Sequence, residues 1–74
     1  MHRPVAAHRA LQAIVREGLD EFDADLLAES AQIQRASAQR IIGWAEWMGA
    51  AAATVPGYYR LNPLIARLLA RAAG

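Results

Sequence analysis

Apolar residues recur at helical spacing from the start of the chain, with Ala7, Leu11, Ile14 and Val15 on one side of a segment that opens at Pro4. Proline suits a first helical turn, where its missing N–H is not needed. The pattern predicts a first helix over residues 4–17, closed by Gly18 as a left-handed residue. Residues 19–22 then leave room for a short connector or a bridge-length strand. Asp23 reads as the N-cap of a second helix, because Phe22 and Leu27 stand where a hydrophobic staple needs them and Asp25 favours the positive helix end. That helix runs to about residue 31. Residues 32–34 interrupt the pattern before Ala38, Ile41, Ile42, Ala45 and Met48 resume a 3/4 repeat that ends at Gly49. A third helix over about 35–48 therefore lies a three-residue turn after the second.

The period then changes from helical to alternating. Residues 50–55 offer an extended segment, Pro56-Gly57 fits the centre of a type II turn, and Tyr58-Tyr59-Arg60-Leu61 alternates. The reading is a two-stranded hairpin over 50–62, with Tyr59 and Leu61 towards the helices and Tyr58 and Arg60 exposed. Asn62-Pro63 is an N-cap followed by proline at the first helical position, opening a fourth helix over about 63–73. The class is mostly α with a small β-hairpin.

A chain of 74 residues, 55% hydrophobic and 20% charged, holds one small domain over 1–74 and is too apolar for disorder. Without cysteine it has neither disulfides nor thiolate metal sites. Its longest apolar stretches, such as residues 50–53, fall far short of the roughly 20 residues that span a membrane. Residues 1–5 carry Arg3 but no following apolar run of the kind a signal peptide has, so the expected compartment is the cytoplasm.

The net charge of +1 hides an uneven distribution. Residues 1–29 hold three arginines against six acids, a balance of −3, whereas residues 30–74 hold five arginines against Glu46 alone, a balance of +4. Such asymmetry is one mark of a polyanion-facing half.

Helix, connector, helix, tight turn, helix and hairpin is the element order of the winged helix-turn-helix domain. Residues 26–63 resemble the N-terminal DNA-binding domains of IclR-type and related winged-helix transcription regulators. Ala28 takes the small position where the second helix meets the third, Ile33 the apolar turn position, and Ala38 and Ile41 the buried positions of the recognition helix. Residues 35–42 are similar to that family's segment of Arg, small, Ser/Thr, apolar, polar, Arg and two apolar residues. Tyr59-Arg60-Leu61 with Pro63 resembles the closing strand of its wing. Gln32 stands where the family's tight turn usually has glycine, and a left-handed residue there is mildly strained.

The resemblance implies a three-helix core with a wing and a C-terminal helix, and sequence-specific binding of double-stranded DNA by the third helix. The contacts it implies are Gln34, Arg35, Ser37, Gln39 and Arg40 on that helix, with Tyr58 and Arg60 on the wing. Arginine reads guanine bidentately, glutamine reads adenine, and serine reaches phosphate or base. Arg35 and Gln39 share a face, while Arg40 sits at its margin, the place of a phosphate contact.

A chain with few cations binds weakly as a monomer, so a homodimer is expected. Leu64, Ile65, Leu68 and Leu69 make the fourth helix more apolar than a capping helix needs. Trp44 and Trp47 form a second stripe on the third helix, separate from an inner stripe of Ala38, Ile41, Ala45 and Met48. They belong either to a core that wraps round to the fourth helix or to an interface. Two functions follow: a small dimeric transcriptional regulator or mobile-element accessory factor, or a winged-helix module that binds a protein partner and no DNA.

Catalysis finds little footing. His2 and His8 lack the spacing of a helical metal pair, Asp23-Ala24-Asp25 lacks the glycine of a calcium loop, and Ser30 and Ser37 have no base nearby. No metal, cofactor or small-molecule ligand is expected, and no membrane.

Overall fold

The computed structural model describes the chain from residue 4 to 73, and side chains from residue 6 to 72; His2 and Arg3 lie outside that range. Four helices and one hairpin follow in order: α1 (Pro4–Arg16), α2 (Ala24–Ala31), α3 (Arg35–Trp47), β1 (Ala51–Ala53), β2 (Tyr59–Leu61) and α4 (Pro63–Ala73). No described helix is long and apolar enough to cross a membrane.

Local chemistry sets most of the boundaries. α1 closes through Gly18, at φ 69°, with the Leu19 N–H reaching back to the Ile14 carbonyl at 3.2 Å. Asp23 caps α2 by accepting the Leu26 N–H at 2.8 Å. Asn62 opens α4, its side chain accepting the Leu64 N–H at 2.8 Å and its carbonyl the Ala66 N–H at 2.8 Å. In the hairpin the Tyr58 N–H donates to the Val55 carbonyl at 2.9 Å across Pro56 and Gly57, whose φ of 87° is the value a type II turn demands. Ala51 pairs with Leu61, Ala52 with Arg60 and Ala53 with Tyr59, in antiparallel register.

The break after α2 is a sharp turn. Gln32 adopts φ 58° and ψ 50°, a left-handed conformation in a residue with a Cβ, and the Ile33 N–H donates to the Ala28 carbonyl at 3.0 Å. Gln34 then serves as the N-cap of α3 through its backbone, without a side-chain hydrogen bond.

Leu11, Ile14, Phe22 and Leu27 are the largest fully buried side chains, and Ala38, Ile42, Ala45, Leu61 and Leu69 close around them. α1 packs against both α2 and α4, and α2 against α3. Every buried residue is apolar among those described, so the core is held by burial without an internal polar network. The inner stripe of α3 differs from its expected membership. Ile42 is buried, Ile41 is half-buried, and Met48, the C-cap, is exposed because its place on the helix lies well round from the side of Ala38, Ile42 and Ala45.

Candidate nucleic-acid interface

Ala38, Ile42 and Ala45 turn α3 inwards, and residues spaced i, i+4, i+7 and i+11 on its far side are then left in solvent. These are Ala36, Arg40, Gly43 and Trp47, all exposed. Arg40 therefore occupies the middle of the outward side, at the edge of the face that Arg35 and Gln39 share. Its Nη2 reaches the Ser37 hydroxyl at 3.5 Å, and among the described residues it joins no ion pair. Ser37 itself is half-buried, and Gln34 is exposed at the helix entrance.

Arg35 and Gln39 lie together, as their i, i+4 spacing requires, but they turn towards a groove of about 440 Å³ between α3, the start of α2 and the hairpin turn. Asp23 borders it on the α2 side, Gly43 on α3, and Gly57 and Tyr58 on the hairpin. A Cβ built on Gly43 or Gly57 meets nothing within 4 Å, so both glycines leave that space open. Gly43, Gly57 and the α2 cap Asp23 thus join the site, none of them among the contacts expected from the sequence.

Arg60 does not join it. Tyr58 and Arg60 are both exposed, as alternation requires, but only Tyr58, in the turn before β2, borders this groove. Arg60 instead borders a second hollow with Leu19, Asp20 and Pro63. Its Nη2 donates to Glu21 Oε2 at 3.0 Å, while the Thr54 hydroxyl donates to Glu21 Oε1 at 3.3 Å. One carboxylate from the α1–α2 connector therefore grips both sides of the hairpin. The second ion pair joins Arg35 Nε to Asp25 Oδ1 at 2.7 Å.

The tryptophans part company. Trp44 is half-buried against the core and lies 6.2 Å from the His8 ring of α1, tilted by 59°. Trp47 is 79% exposed, beside an exposed Met48. On α4, Leu69 is buried in the chain's own core and Ile65 is half-buried, which removes Leu69 from any seam with a partner. Leu64 and Leu68 remain in solvent at 64% and 58%. Among the described residues no three metal-ligating side chains gather. Comparison with family models, curated proteins and solved structures finds no match to this chain.

Proposed function

We propose that this chain is a winged helix-turn-helix module that binds double-stranded DNA, with α3 in the major groove and the hairpin as wing. One observation carries the reading: the side of α3 bearing Ala36, Gln39, Arg40 and Gly43 is left uncovered by the rest of the chain, next to a groove walled by Tyr58. Element order supports it too, since Phe22 pairs with Tyr59 as a one-residue strand between α1 and α2, ahead of α3 and the hairpin. The residue types suit a DNA surface, with Arg35 and Arg40 for guanine or phosphate, Gln39 for adenine and Tyr58 for the adjoining backbone. Arg60, held by Glu21, braces the wing. The role in the cell is a small cytoplasmic transcriptional regulator or mobile-element accessory factor, acting as a homodimer through α4.

The test is fluorescence anisotropy of a labelled random-sequence duplex titrated with protein at several salt concentrations. Binding that weakens steeply with salt is expected, and Arg40→Ala should lower the slope of log K against log salt by about 1. No binding at micromolar protein and low salt overturns the reading. That result would favour a second one, a module that docks a protein partner through Trp47, because an uncovered tryptophan is a frequent anchor at protein interfaces.

A further inference from the structure

Arg35 opens α3, and Asp25 stands ten residues before it in the first turn of α2. Their 2.7 Å contact uses the arginine Nε. Which nitrogen is used decides what the side chain can still do. A guanidinium carries five N–H donors in a planar fork, and a carboxylate on Nε occupies the side nearest the stem. The two terminal nitrogens stay free, and that pair matches O6 and N7 of a guanine in the major groove.

The other two arginines of this region differ. Arg60 is held through a terminal nitrogen, so its fork is already engaged, and Arg40 has no carboxylate to orient it. Asp25 reaches Arg35 at the surface, with the two side chains 70% and 62% exposed, but its backbone is well anchored. It sits at the positive end of α2, in a turn that Asp23 pins through the Leu26 N–H. The first turn of α3 is in turn the part of a groove-binding helix that comes nearest the base edges.

We propose that Asp25 is a positioning residue, which holds Arg35 by Nε so that its terminal amino groups are set to read a guanine. The inference rests on the DNA-binding reading above and adds to it a base preference and the residue that sets it. Holding the arginine before DNA arrives removes part of the rotamer freedom that binding would otherwise have to freeze. An acid beside a polyanion also repels it. Removing Asp25 therefore acts in two opposite directions, towards stronger binding of any duplex and towards weaker choice among bases. A carboxylate that merely repels DNA, or merely props up the fold, does not give that combination.

The experiment is selection from a random-sequence duplex pool by the wild-type protein, Asp25→Asn and Arg35→Ala, with anisotropy on the enriched sequence and on single-base variants of it. The wild type should enrich a fixed guanine. Asp25→Asn should bind the unselected pool at least as tightly, yet discriminate that guanine about tenfold less, as should Arg35→Ala. Asp25→Glu, with the charge kept and the reach altered, should recover part of the discrimination. An Asp25→Asn protein with the guanine preference intact overturns the positioning role and leaves DNA binding standing. A wild-type protein that enriches no duplex overturns both.

Discussion

Phe22 and Tyr59 exchange both of their backbone hydrogen bonds: the Phe22 N–H donates to the Tyr59 carbonyl at 2.9 Å, and the Tyr59 N–H to the Phe22 carbonyl at 2.8 Å. Their rings lie 6.4 Å apart, and Phe22 is 1% exposed. One residue of the α1–α2 connector thus ties β2 to the helical core and supplies its largest buried side chain. Phe22→Ala leaves a ring-sized cavity where the hairpin meets the helices, at a cost of about 3–5 kcal/mol. That is a large part of the roughly 5–15 kcal/mol typical of a whole domain. Urea unfolding should show the midpoint fall sharply, whereas a loss below about 1 kcal/mol would mean that the hairpin is anchored elsewhere.

Gln32 gives a prediction of the opposite sign. Its left-handed backbone ends α2 where Gly18 and Gly49 close the two neighbouring helices at φ 69° and 79°. An L-residue in this region carries a strain of about 1–2 kcal/mol, partly offset because glycine loses more freedom on folding, by about 0.5–1 kcal/mol. Gln32→Gly should therefore stabilise the chain by up to about 1 kcal/mol, raising the thermal midpoint by roughly 4–8 °C. A lower midpoint would show that the Gln32 side chain supports the turn and does not merely tolerate it.

Features carried by neighbours in sequence are legible without the fold. Asp23 as cap, Asn62-Pro63 as a helix start, Pro56-Gly57 as a turn and the connector as a bridge-length strand each depend on a few adjacent residues, and each is observed. What distance brings together is not legible. The Asp25–Arg35 pair joins two helices, and Glu21 reaches the hairpin across 39 residues to Arg60. Nothing in local spacing announces either. The face of α3 is harder to read than its extent, because alanine and isoleucine lie on several sides of it and either Ile41 or Ile42 fits the repeat. Strand alternation is legible for the same reason as the caps: Tyr58 and Arg60 are exposed, Tyr59 is half-buried and Leu61 is buried, as the period of two requires.

α4 carries the last prediction. Leu69 faces the core, while Leu64 and Leu68, four residues apart and therefore neighbours on the helix, stay in solvent. Covering a leucine fully is worth about 1.5–3 kcal/mol, so a symmetric pairing of two such stripes gains several kcal/mol before the cost of association is counted. In the proposed homodimer that gain also bears on DNA, because two copies of α3 double the phosphates neutralised. Leu68→Glu places like charges opposite one another in a symmetric seam and touches no core position. It should leave the helical circular dichroism intact, convert a dimer to a monomer in light scattering, and cut the salt slope of DNA binding by about half. A wild-type protein that is already monomeric at high micromolar concentration removes the α4 seam, and with it the explanation for two exposed leucines.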